Sequence, residues 1–104
     1  MGCIMTFDNI NIRQIVSAAI SEDAIIVDVR SEDRFRSGHI PMAINLPVER
    51  VEQGQVNFPK NRVLIVYCDT GGSSIRAARL LSDMGYRVIN CVGGLKNYKA
   101  SLTK

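Results

Sequence analysis

The stretch Val63-Leu64-Ile65-Val66-Tyr67-Cys68-Asp69-Thr70-Gly71-Gly72-Ser73-Ser74 decides the fold. Five apolar residues without polar alternation predict a strand covered on both faces, the mark of a parallel sheet flanked by helices. The polar, glycine-bearing loop that follows leads into Ile75 to Met84, which reads as a helix. Cys68 therefore stands at a strand's carboxyl end, beneath a helix N-terminus. Ligands in open α/β sheets gather at that end. A tight loop with two glycines turns successive backbone N–H groups inward, and the helix adds its own unpaired N–H groups and the positive end of its dipole. Such a spot favours an anionic sulfur, and the thiolate is the nucleophilic form of cysteine.

Working outward, Ala24-Ile25-Ile26-Val27-Asp28-Val29 is a second continuous apolar run and a second fully covered strand. Ile4 to Phe7 predicts a short first strand, and Asn11 caps a helix to about Ile20 whose apolar residues Ile12, Ile15, Val16, Ala19 and Ile20 keep helical spacing. Ser31 to Ser37 is a short polar helix, Ala43 to Leu46 a third strand stopped by Pro47, and Val48 to Gln53 a helical turn. After the helix that ends at Gly85 come a fifth strand, Arg87 to Val92, and a last helix from about Gly94 toward the C-terminus. Alternating strands and helices imply an α/β fold with a mainly parallel sheet and helices on both faces.

A chain of 104 residues is one domain's worth, residues 1–104, with 46% hydrophobic and 22% charged residues. No run approaches the roughly 18 apolar residues of a membrane span, so no membrane association is expected. The start carries no basic segment followed by an apolar stretch, which predicts a reducing, cytoplasmic setting. Three widely spaced cysteines give no metal-ligand pattern. Met1-Gly2-Cys3 fits a loose lipidation pattern, weighed against an ordinary leader into the first strand. The thirteen Lys and Arg residues behind the net charge of +3 are scattered, which leaves nucleic-acid binding without a footprint.

Five fragments in order carry a resemblance: Asp28-Val29-Arg30, Phe35-Arg36-Ser37-Gly38-His39-Ile40-Pro41, Ala43-Ile44-Asn45-Leu46-Pro47, the Cys68 to Ser74 loop, and Gly93-Gly94-Leu95 with Tyr98. Together they resemble a single-domain rhodanese, a sulfurtransferase module, over nearly the whole chain. The resemblance implies a five-stranded parallel sheet with helices on both faces. It also implies ping-pong transfer: Cys68 takes a sulfane sulfur from a small donor such as thiosulfate or a persulfide, then passes it to an acceptor thiol or a thioredoxin-like protein. The loop Asp69, Thr70, Gly71, Gly72, Ser73 and Ser74, with Arg76 beyond it, would bind the substrate. No metal or organic cofactor is implied.

The chain departs from the family pattern in several places. Cations are common at the positions of Asp69 and Ser73, so Asp69 is expected to disfavour thiosulfate, a dianion; Arg76 and Arg79 are weighed as partial replacements for the missing charge against a solvated helix face, which is the favoured reading for Arg79 and an even alternative for Arg76. Arg34 stands where an acid usually pairs with the arginine equivalent to Arg30, and Met42 stands where glycine is common. Asp28 reads as a structural partner of a neighbouring loop, His39 as a hydrogen-bonded loop residue and Cys91 as core, the alternative for Cys91 being a resolving thiol for Cys68. A non-catalytic rhodanese-like binding or sensing module is the second reading. A phosphatase is the third, disfavoured because its arginine, six residues after the cysteine, is Ser74 here.

Overall fold

The computed structural model describes residues 7–104. Five parallel strands form one sheet in the order β1-β5-β4-β2-β3: β1 (Asp8–Asn11), β2 (Ile25–Asp28), β3 (Ile44–Asn45), β4 (Leu64–Tyr67) and β5 (Val88–Val92). The α-helices among the described residues are α1 (Ile15–Glu22), α2 (Glu32–Ser37), α3 (Val48–Glu52) and α4 (Gly72–Asp83). None is long and apolar enough to cross a membrane among the described residues.

The sheet is covered on both faces because its central strands are apolar at nearly every position. Leu64 and Val66 point with Val27, Val29 and Val88 to one face, against Val51 of α3 and Ala77, Ala78 and Leu81 of α4. Ile65 and Tyr67 point with Ile26, Ile89 and Cys91 to the other, against Ile12, Ile15, Ala19 and Ile40. This alternation follows from the two-residue period of a strand. Cys68 and Cys91 consequently belong to opposite faces, so the structure sets Cys91 as core and not as a partner for Cys68.

Three expectations need correction. The first strand is Asp8–Asn11, later than the apolar stretch Ile4 to Phe7 suggests; Phe7 is not in a strand, and Ile4 to Thr6, like the Met1-Gly2-Cys3 pattern, lies outside the described residues. An edge strand with a single neighbour, β5, needs little hydrophobicity, and three of its four residues are exposed. Asn11 does cap, but through a 3-10 turn, Ile12–Gln14: its side chain accepts from the Arg13 N–H at 2.9 Å while Gln14 accepts from the Asn11 N–H at 3.3 Å, a capping box, before α1 begins. The last helix is only a 3-10 turn, Leu95–Asn97, after which the chain forms no regular element and Thr103 exchanges backbone bonds of 2.8 Å with His39.

Met42 sits at φ +76°, the left-handed conformation that favours glycine, with its side chain in solvent. Open space lets that turn keep a side chain at the cost of backbone strain.

Candidate active site

β4 delivers Cys68 to the carboxyl edge of the sheet, where the thiol is 3% exposed and lies under the start of α4. Gly71 takes φ +113°, turning the chain sharply enough for its own N–H to donate to the Cys68 Sγ at 2.9 Å. The Ser74 N–H donates to the same sulfur at 3.4 Å, and the Ser74 hydroxyl closes the loop by donating to the Gly71 carbonyl at 3.2 Å. The helix begins at Gly72, three residues earlier than its apolar spacing predicts, so Ser74 belongs to its first turn. Two backbone donors thus converge on sulfur with the helix dipole behind them.

A cavity of about 250 Å³ opens over this sulfur, lined by Cys68, Asp69, Thr70 and Ser73 of the loop, Val29, Arg30 and Ser31 after β2, Arg34 of α2, and Val48 and Glu49 of α3. Thr70 and Ser73 are exposed at the wall, whereas Gly71 and Ser74 are buried beneath it. Arg76 is drawn to Glu52 of α3 in a close ion pair and does not line the cavity. Arg79 is exposed on α4 and likewise away from the wall.

The cations that line the cavity come instead from residues after β2. Arg30 is clamped by Asp28: its Nε donates to both carboxylate oxygens at 3.0 Å, and its Nη2 donates to Oδ2 at 2.7 Å and to the Gly38 carbonyl at 2.7 Å. Its remaining Nη1 reaches Asp69 at 3.4 Å. Arg34 donates to the other Asp69 oxygen at 2.8 Å. Asp69, expected to work against the nucleophile, is therefore held and neutralised by two arginines. Asp33 is not among the partners of Arg30, and the place of the usual acid, position 34, is taken by an arginine serving Asp69.

Beneath the cavity lies a buried polar network. The Tyr67 hydroxyl donates to Asp28 at 2.6 Å and accepts from the Ile40 N–H at 3.1 Å. Burial, then the bond to Asp28, push this phenol well above its usual range. Burial works against the Arg30 cation, but bonding and charge pairing with Asp28 outweigh it and raise its pKa. Asp28 is thus structural, tying β2 to β4 and to the loop at Gly38. His39 is structural too: Nδ1 bonds the Phe35 carbonyl at 2.9 Å and its ring stacks on Phe35 at 3.8 Å. Burial pushes the Cys91 thiol up to about 12. No group of residues that could hold a metal occurs among the described residues.

The last wall of the loop is remote in sequence. The Leu95 N–H donates to the Cys68 carbonyl at 2.8 Å, and Gly94, at φ +67°, presses so closely on the loop that a Cβ there would fall 2.0 Å from the Asp69 carbonyl oxygen. A glycine pair after β5 is therefore part of the site's frame.

The profile of the family described as Rhodanese-like domain matches residues 13–101. The chain belongs to the rhodanese-like family. It is 36% identical over 73 residues to the thiosulfate sulfurtransferase PspE of Escherichia coli K12, covering 68% of this chain and 70% of that protein. It is also 36% identical over 86 residues to a tRNA sulfurtransferase of Desulfurococcus amylolyticus, which is 83% of this chain but only 17% of that much longer protein. Among solved structures, a rhodanese homologue from the extremely thermophilic bacterium Thermus thermophilus superimposes with a TM-score of 0.70 at 30% identity, over 85% of this chain and 97% of that one. The rhodanese-like fold accounts for the all-parallel sheet and for the position of Cys68 at its carboxyl edge.

Cys68 and the six loop residues named from the sequence are thus brought together, with Asp69, Thr70 and Ser73 at the cavity wall. Arg34 and Glu49 were not foreseen there. Arg34 carried a signal, its charge reversal at a position where the family usually has an acid; Glu49 carried none.

Proposed function

We propose that the protein is a sulfurtransferase that carries sulfane sulfur as a persulfide on Cys68. The observation that supports this most directly is the pair of N–H groups, Gly71 and Ser74, that meet at Sγ on the floor of an open cavity. With thiosulfate as donor, the Cys68 thiolate attacks the sulfane sulfur, the sulfur–sulfur bond breaks, and its electron pair leaves with sulfite. The new persulfide is an anion at neutral pH, and backbone amides at a helix N-terminus stabilise it without a metal. An acceptor thiolate then attacks the terminal sulfur, and Cys68 leaves as thiolate. A small thiol or a thioredoxin-like protein fits this second step, because the cavity is open to solvent and Thr70 and Ser73 stand exposed at its wall.

The binding-module alternative rests on Asp69 and on the missing loop arginine. With Asp69 paired to Arg30 and Arg34, the first of these motives is weakened. The phosphatase reading has no cation on the loop to support it, since Ser74 is turned into the loop and Arg76 toward Glu52.

The test is a mass spectrum of the intact protein after incubation with thiosulfate and, separately, with cysteine persulfide. We expect one added sulfur atom on the native protein, its removal by a thiol, and no addition to Cys68→Ser. An unchanged mass with both donors overturns the reading.

A further inference from the structure

We propose that Glu49 is a specificity-determining residue that turns the site away from dianionic sulfur donors and toward persulfides of low charge. This rests on the sulfurtransferase reading above. Four charged residues line the cavity: Arg30, Arg34, Asp69 and Glu49. Arg30 is already committed to Asp28 through Nε and Nη2, and its last nitrogen goes to Asp69. Arg34 gives Nη1 to Asp69. Every positive charge at the wall therefore already has a carboxylate, while no ion pair or hydrogen bond among the described residues engages the carboxylate of Glu49. Counting the buried Asp28 that Arg30 also serves, the site carries a surplus of one negative charge within a chain whose net charge is +3.

The backbone that carries Glu49, an exposed side chain at the cavity rim, is anchored by its neighbours. The Leu46 N–H donates to the Asp28 carbonyl at 2.9 Å and the Val48 N–H to the Val29 carbonyl at 3.1 Å, so the start of α3 is pinned to the end of β2, beside Arg30. The next carboxylate along α3, Glu52, is consumed by Arg76. The cation that the sequence offers as a replacement on α4 is thus withheld from the cavity by the same helix that supplies its free anion.

Repulsion grows with the product of charges, so one uncompensated carboxylate penalises thiosulfate twice as much as a monoanion at the same distance. With a persulfide donor, a monoanion R–S–S− at neutral pH, the Cys68 thiolate attacks the outer sulfur, the S–S bond breaks, and the leaving thiolate R–S− keeps the electron pair and takes a proton from solvent to give R–SH. The product on Cys68 is the same persulfide, reached without bringing a dianion past Glu49.

The experiment compares native protein, Glu49→Gln and Glu49→Lys, each loaded from thiosulfate or from cysteine persulfide at low and high salt. We expect kcat/KM for thiosulfate to rise roughly five- to tenfold in Glu49→Gln and further in Glu49→Lys, through KM. Loading from cysteine persulfide should change less than about threefold, because it carries less charge. Added salt should raise the native thiosulfate rate and lower that of Glu49→Lys, since screening weakens repulsion and attraction alike. Equal changes with both donors, or none with thiosulfate, overturn the inference while leaving the sulfurtransferase reading intact; loading from neither donor overturns both.

Discussion

The carboxylate of Asp69 is shared between Arg34, at 2.8 Å, and Arg30, at 3.4 Å. The first pair is largely exposed and the second reaches into the protein, so the two contacts differ in consequence. Arg34→Gln releases one side of Asp69 into the cavity. We expect thiosulfate kcat/KM to fall by about three- to tenfold, mainly through KM, with stability lowered by less than about 1 kcal/mol because exposed ion pairs contribute little. Steady-state kinetics beside a denaturant titration separate the two effects. A large stability loss with unchanged kinetics would show that the pair serves the fold.

Asp28 is fully buried and holds both Arg30 and the Tyr67 hydroxyl. Asp28→Ala strands a buried cation, and we expect a loss of about 3–5 kcal/mol in unfolding free energy. Tyr67→Phe removes a donor and leaves the Ile40 N–H without its acceptor, for a loss of about 1–3 kcal/mol. Denaturant midpoints at neutral pH measure both, and a smaller effect for Asp28→Ala than for Tyr67→Phe would contradict the network described.

Gly94 combines a glycine-only backbone, φ +67° and ψ 174°, with the close approach to Asp69. Gly94→Ala should lower stability by at least about 1–3 kcal/mol and displace the loop, so that sulfur loading is lost in the fraction that still folds. Gly54→Ala is the control: φ is +75° but nothing lies within 4 Å, so we expect a loss of about 1 kcal/mol with loading unchanged. Matching losses of loading in both variants would argue against a specific contact.

The Cys91 thiol, pushed from an ordinary value of 9.0 up to about 12 by burial, gives a pH dependence with a definite sign. Above the ordinary value the unfolded chain loses this proton while the folded protein keeps it. The contribution to stability is therefore full below about pH 9 and declines as pH rises toward 12, by up to about 1.4 kcal/mol per pH unit. Cys91→Ala, though less stable at neutral pH, should lose stability more slowly with pH. Urea titrations at successive alkaline pH values compare the slopes, and parallel slopes would remove Cys91 as a contributor.

What was legible in the sequence follows from what is local. Val63 to Tyr67 and Ala24 to Val29 announced covered strands because their apolar runs leave no polar face, and Cys68 followed from the strand's end. The start of α4 is not legible because Gly72, Ser73 and Ser74 resemble loop residues, although they form the turn that aims the Ser74 N–H at sulfur. The shortness of the final helical turn is equally hidden, because nothing around Gly94 signals that the chain will turn back to pair Thr103 with His39. The charge pattern of the site was least visible. Asp69 meets Arg34 across 35 residues and Arg76 meets Glu52 across 24, pairings set by the packing of separate elements.

The close seat of Gly94 on the loop also bears on how this scaffold can diverge. The length of the loop is bounded from outside it by the backbone after β5. An insertion between Cys68 and Ser74 would meet Gly94 and the Leu95 N–H before it could open a larger cradle. A longer loop would require coordinated alteration of two distant segments, so the backbone after β5 constrains how the loop can diverge.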